Sequence, residues 1–255
     1  MLQSNSGFFS SIPPVTKNIL IINLLFWLAD TLLSTRGINL SQTLGLHYIS
    51  SDYFKPHQII TYMFMHGGFS HVFFNMFAVF MFGRTLETVW GPKKFLTYYI
   101  LTGIGAALIQ LLIYYLRLKN LEANISPELL TSVYNEIHSN GLNLLLSNKN
   151  YADPTVGSMN LLINGVMVGA SGAVFGILIA FGMLFPNVEL IMIPIPIPIK
   201  AKWFVIGYGV IELFAGMADR PNDNVAHFAH LGGLLVGFII VLIWKRNARR
   251  NGRYF

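Results

Sequence analysis

Apolar residues fall along this chain in six long runs separated by polar stretches: about Thr16–Ser34, Ser70–Val89, Lys94–Leu116, Gly169–Phe185, Trp203–Ala218 and Val225–Trp244. A helix crossing a bilayer needs roughly 20 mainly apolar residues, and each run approaches that length. The pattern predicts an all-α polytopic membrane protein built as a six-helix bundle. Thr35–Gln58 is moderately apolar but broken by Gly37, Gly45 and Pro56, so it is expected to lie in the outer interface. Lys119–Asp153 is the strongly polar stretch and is expected as an external insertion between the third and fourth spans. Ser126-Pro127-Glu128 marks a helix start within it. The prolines alternating through Ile193–Ile199 each remove a donor and disfavour helix in the residue before them, which predicts an extended connector. The chain thus divides into an N-terminal segment 1–15, a membrane domain 16–244 containing the insertion 119–153, and a basic tail 245–255.

Composition supports the membrane reading: of 255 residues, 54% are hydrophobic and 11% charged, too apolar for an ordinary soluble domain. The net charge of +6 raises the question of nucleic acid, but its placement answers it. With both termini inside, the inner segments hold Lys17, Arg84, Lys93, Lys94, Lys200, Lys202 and the cluster Lys245, Arg246, Arg249, Arg250 and Arg253. The outer segments hold Arg36, Lys55, Arg117, Lys119, Lys149 and Arg220 alongside the acids Asp52, Glu122, Glu128, Glu136, Asp153, Asp219 and Asp223. This positive-inside bias places both termini in the cytoplasm, and the tail binds anionic lipid head groups with no nucleic-acid partner. Met1–Val15 has no basic region before an apolar stretch and no small-residue cleavage pattern after it, so the first span is expected to be retained as an anchor. A multi-pass protein of a bacterial inner membrane is the expected setting. The absence of cysteine excludes disulfides, thiolate catalysis and thiolate metal sites.

The chemistry concentrates where membrane should be. Gly165, Gly169 and Gly172 make the first half of Leu161–Phe185 a poor continuous helix, so we expect an extended segment, a turn at Gly169 and a short helix from about Ser171 to Phe185. Non-helical backbone survives at membrane depth only when buried in protein or lining water. Ser171 then sits at a helix N-terminus, where the dipole favours developing negative charge. Gly172, Gly176 and Ala180 form one small-residue ridge, and Ala229, Gly233 and Gly237 another on the sixth span. Such ridges let membrane helices approach closely. Facing each other, they would bring His230 within the roughly 3 Å that proton transfer from Ser171 requires. The nearest acids in sequence, Asp219 and Asp223, belong to the loop before the sixth helix, so a Ser-His dyad is expected. His71 and Asn75 share a face of the second span one turn apart and both can donate hydrogen bonds.

Gly169-Ala170-Ser171-Gly172, Ala229-His230-Leu231-Gly232-Gly233 and His71-x-x-x-Asn75, on the fourth, sixth and second spans, resemble the rhomboid intramembrane serine proteases. The resemblance runs from about Leu44 through the sixth span, the insertion excepted. It implies Ser171 as nucleophile, His230 as general base and acid, and an oxyanion hole of His71, Asn75 and the Ser171 amide, supported by Gly169, Gly172 and Gly233. It also implies cleavage of transmembrane protein substrates at small residues, with no metal or cofactor. Phe175 stands where the family often has a tyrosine stacked on the histidine; it keeps the ring and loses the hydroxyl. The Trp-Arg pair of some members' first loop is absent.

Plainer roles are expected elsewhere. Glu212 hydrogen-bonds within the bundle, Asp30 lies in the outer half of its span, and Arg84 pairs with Glu87 at a helix end. His227 is a loop-facing structural residue, and Trp90, Tyr98, Tyr99, Trp203 and Trp244 form an interfacial belt. Two other functions fit the same features. One is a non-catalytic rhomboid-like protein binding client helices; the other is a transporter using His71, Asn75, Asp30 and Glu212 as a polar path.

Overall fold

The computed structural model describes residues 11–191, 197–218 and 225–252, and it is a helical bundle. The first span is α1 (Pro14–Ser34), which starts on a proline whose missing N–H costs nothing at that position. Its first turn is closed by Glu87, whose carboxylate accepts from Val15 N (2.9 Å), Thr16 N (2.7 Å) and Thr16 Oγ1 (2.7 Å). Glu87 was expected to pair with Arg84. A carboxylate buried among orphan helix N–H groups instead meets three donors and the positive end of a helix dipole.

After α1, Asp30 accepts from Leu40 N (2.8 Å), Ser41 N (3.3 Å) and Ser41 Oγ (2.7 Å), fastening the short α2 (Leu40–Leu44) to the first span. α3 (Gln58–Thr61) and a 3₁₀ turn at Tyr62–Phe64 complete the interface segment. The second span is one continuous rod: α4 (Phe69–Ala78), a π turn at Val79–Gly83 and α5 (Arg84–Trp90). α6 (Pro92–Glu122) reaches six residues beyond the expected Leu116.

The polar stretch is helical through most of its length, with the end of α6, α7 (Pro127–Glu136), a π turn and α8 (Leu142–Leu146), and α9 (Pro154–Asn164) follows it. Pro127 opens α7, and Asp153 caps α9 by accepting from Val156 N at 2.9 Å. α9 runs through Leu161–Asn164, so the extended segment begins only at Gly165. Its neighbours explain its survival. Leu46 and Met167 exchange backbone hydrogen bonds (2.8 and 2.9 Å), and Gly169 N donates to Tyr62 O at 2.9 Å. Gly169 turns with φ +128°, a conformation open to glycine, and α10 (Ser171–Leu184) follows.

Strands β1 (Glu189–Ile191) and β2 (Pro198–Lys200) pair antiparallel with Glu189 opposite Lys200. They flank the alternating prolines, whose residues 192–196 lie outside the described residues. α11 (Ala201–Ala218) and α12 (His227–Arg250) end the bundle. Among the described residues, five elements are long and apolar enough to cross a membrane: α1, the α4–α5 rod, α6, α11 and α12; α10 is a shorter apolar helix of 14 residues.

Packing centres on α6, α10 and α12. A Cβ at Gly172 would meet Ala106, and one at Gly176 would meet Thr102, so the fourth-span ridge presses on α6. The sixth-span ridge presses on α10: a Cβ at Gly233 would strike the carbonyl oxygen of Gly172, and one at Gly237 would approach Gly176 Cα. Tyr98 and Tyr99 were expected in the interfacial belt and are fully buried. The Tyr98 hydroxyl donates to the Gly176 carbonyl at 2.6 Å, so the polar tip is satisfied inside the core. Trp90 and Trp244 pack on one another at 5.4 Å, with the Lys94 ammonium 4.6 Å from the Trp244 ring centre.

Candidate active site

The close approach of α10 and α12 brings together two side chains 59 residues apart: His230 Nε2 lies 2.8 Å from Ser171 Oγ. Ser171 is the first residue of α10, directly after the turn at Gly169. His230 is one turn into α12 and buried. The ring of Phe175, one turn along α10 from Ser171, lies parallel to the His230 imidazole at 4.4 Å and 9°.

His71 closes another side. A Cβ on Gly169 would come within 2.7 Å of His71 Nε2 and 3.6 Å of Ser171 Oγ, so the imidazole lies over the turn beside the serine. A side chain at 169 would occupy that space. The His71 carbonyl accepts from Asn75 Nδ2 at 3.1 Å, so in this conformation the Asn75 amide is engaged with its own helix. His66 packs edge-on against His71 at 5.0 Å.

The structure adds an acid that sequence order had not brought to the site. Glu212, from the middle of α11, places Oε2 2.9 Å from His230 Nδ1 and 2.6 Å from His227 Nδ1. Asp219 and Asp223, the acids nearest in sequence, lie outside the described residues. Glu212 was read as bonded somewhere in the bundle; its partners are these two imidazoles. His227 therefore is not loop-facing, because α12 turns its ring onto the carboxylate. The signal in the sequence was a lone acid in an apolar span, which is costly at membrane depth unless paired.

The donor atoms of Glu212, His227 and His230 all lie within 4.8 Å of one another. Two imidazoles and a carboxylate are a donor set that zinc accepts. Equally, one carboxylate oxygen shared by two Nδ1 atoms is a complete hydrogen-bonded arrangement without an ion. An ionised carboxylate only accepts, so each imidazole would present Nδ1–H, leaving His230 Nε2 with a lone pair towards Ser171 Oγ.

Comparison with known proteins places the chain among helical membrane proteins of one family. The family model of the rhomboid domain matches residues 53–123 and 128–247. The chain is 29% identical over 205 residues to rhomboid protein 1, mitochondrial, of Saccharomyces cerevisiae, covering 77% of this chain and 46% of that protein. It is 27% identical over 186 residues to rhomboid protease AarA of Providencia stuartii, covering 71% and 53% respectively. It is 24% identical over 249 residues to putative rhomboid protease YdcA of Bacillus subtilis, covering 97% and 96%. The chain thus spans about half the length of the first two proteins and nearly all of the third.

Proposed function

Since the chain belongs to the rhomboid family, we propose that it is an intramembrane serine endopeptidase that hydrolyses peptide bonds in or near the transmembrane segments of other membrane proteins. The observation that carries this reading is the 2.8 Å approach of Ser171 Oγ to His230 Nε2 at the start of a helix. A nucleophile and its base within hydrogen-bond reach are what covalent acyl transfer needs.

In the reaction, Oγ–H passes its proton to His230 Nε2 as Oγ bonds to the scissile carbonyl carbon. The negative charge then develops on the carbonyl oxygen. The His71 ring and the Ser171 amide, at the positive end of α10, are placed to receive it. Asn75 joins them if its amide leaves the His71 carbonyl. Each such donor typically lowers the barrier by about 2.7–4 kcal/mol. Collapse breaks the C–N bond, His230 gives its proton to the leaving nitrogen, and water completes the cycle through the same base. Phe175 holds the imidazole face-on while this happens.

A substrate helix must unwind locally to present its amide, since helical hydrogen bonds shield the carbonyl. Entry is lateral, past α11. An apolar groove of about 360 Å³ between α11 and α12, lined by Val205, Gly209, Leu213, Leu231, Leu234 and Phe238, faces that route. We further propose six spans, the fourth in chain order formed by α10 with the extended Gly165–Ala170 segment before it, and both termini in the cytoplasm. The segments 1–15, 16–244 and 245–255 keep their proposed roles, and a bacterial inner membrane remains the proposed setting, although relatives include mitochondrial and chloroplastic proteins.

The test is cleavage of a generic transmembrane substrate by purified protein in liposomes. Wild type is expected to cleave, with Ser171→Ala and His230→Ala inactive; equal cleavage by all three would sink the proposal. Absence of cleavage by wild type would favour the client-binding reading. Solute flux that survives Ser171→Ala would favour the transporter, although Asp30 and Glu212 are both engaged in hydrogen bonds away from any shared path.

A further inference from the structure

Glu212 is the single acid of α11, and its neighbours Ile211, Leu213 and Phe214 are 63%, 43% and 67% exposed while Glu212 is 7% exposed. One helix face turns the carboxylate inward, against α12. There a single oxygen, Oε2, receives His230 at 2.9 Å and His227 at 2.6 Å, both through Nδ1. His227 and His230 are three apart on α12, so the two rings grip the carboxylate from adjacent turns. One turn beyond Glu212, α11 is tied to α6, where Arg117 Nη2 donates to the Gly216 carbonyl at 3.1 Å. The acid is therefore anchored from several directions.

A buried carboxylate that accepts from Nδ1–H decides which imidazole nitrogen carries the proton in the resting state. Nε2 is then bare and 2.8 Å from Ser171 Oγ, the arrangement that can take the serine proton. When the proton arrives, Nδ1–H stays in place and the imidazolium lies beside a negative charge. Phe175 holds the ring by its face, and Glu212 holds it by its edge. We propose that Glu212 is a positioning residue acting through His230, so that this site works as a Ser171–His230–Glu212 triad, with His227 steadying the acid. This inference rests on the protease reading above. It has a structural corollary: the nucleophile, the base and the acid come from α10, α12 and α11, so displacing α11 detaches the acid from the base.

The experiment compares wild type, Glu212→Gln, Glu212→Asp and Ser171→Ala in liposomes. It reads kcat and KM for a transmembrane substrate, the rate of Ser171 labelling by a fluorophosphonate, and thermal stability. Glu212→Gln keeps shape and removes the charge. Its kcat is expected to fall by on the order of 10²–10⁴-fold, the range that positioned proton transfer contributes, with about 10⁴ the loss when a triad acid is neutralised. KM and melting temperature should stay near wild type, and labelling should slow in parallel. Glu212→Asp restores the charge at a shorter reach and should recover part of kcat. Wild-type kcat in Glu212→Gln, with Ser171→Ala inactive, would overturn the triad and leave the protease reading intact. A kcat loss that appears only with a matching loss of folded protein, and that aspartate does not relieve, would make Glu212 a packing residue. Activity abolished by a chelator and restored by Zn²⁺ would make it a metal ligand and equally overturn the proposal. Undiminished cleavage by Ser171→Ala would remove the protease reading itself.

Discussion

Gly233 lies so close to the carbonyl of Gly172 that a single added Cβ would collide with that oxygen. This contact sets the spacing of α10 and α12, and with it the reach from His230 to Ser171. Gly233→Ala is expected to force the helices apart, costing about 1–3 kcal/mol of stability as overpacking does. Activity should fall on the order of 10²-fold, as a displacement near 1 Å at a reacting group does. Gly207→Ala, on α11 where an added Cβ meets nothing within 4 Å, is the contrasting case. It should be neutral or stabilising by up to about 1 kcal/mol. Thermal unfolding of both variants, with cleavage assays, decides the point.

The parallel contact of Phe175 with His230 predicts a graded series. Aromatic contacts of this kind are worth about 0.5–1.5 kcal/mol beyond buried area. Phe175→Leu should therefore lower kcat by roughly 2- to 10-fold, and Phe175→Tyr, which keeps the ring, should remain near wild type. A leucine variant with undiminished kcat would show that the edge contact alone orients the imidazole.

Glu87 predicts a stability effect separable from catalysis. It satisfies two backbone N–H groups and one hydroxyl at the start of α1, at the opposite end of the second span from His71. Glu87→Gln leaves one buried donor unsatisfied and should cost about 1–3 kcal/mol. The melting temperature should drop, while kcat measured well below the transition is unchanged.

Acid should destabilise the fold through two loop histidines. His47 donates through Nε2 to the Gln42 carbonyl at 2.9 Å, and burial holds its ring below the ordinary value of 6.5. Burial, with the nearby His71 ring adding to it, pushes His66 down to about 4. Both are protonated more readily unfolded than folded. Their contribution is therefore fully present above pH 6.5 and is lost as pH falls towards about 4. Between pH 6.5 and 5, His66 alone accounts for about 2 kcal/mol at 1.36 kcal/mol per unit. Melting temperatures from pH 7.5 to 5 should fall, and His66→Phe should flatten the slope; a slope unchanged by that substitution would assign it to other groups.

The membrane class, the polar stretch between the third and fourth spans, and Ser171, His230, His71 and Asn75 as the candidates for chemistry were all legible in residue order. Each depends on local properties: hydropathy over a helix length, glycines that interrupt it, and polar groups too costly to leave in lipid without purpose. The same locality explains where that reading stopped. Glu212 and His230 are 18 residues apart across a helix, a loop and another helix turn. Nothing in their spacing says that the inward face of α11 meets the first turn of α12. Glu87 closing α1 spans 71 residues to Thr16 and displaced the nearer pairing with Arg84. Tyr98 and Tyr99 have the composition of an interfacial belt, but their rotation about α6 turns them into the core. The chain itself determined which residues are candidates to react and that they fall in its apolar runs. Tertiary packing alone decided which of them meet, because a hydrogen bond depends on separation in space, and helix rotation and crossing set that separation.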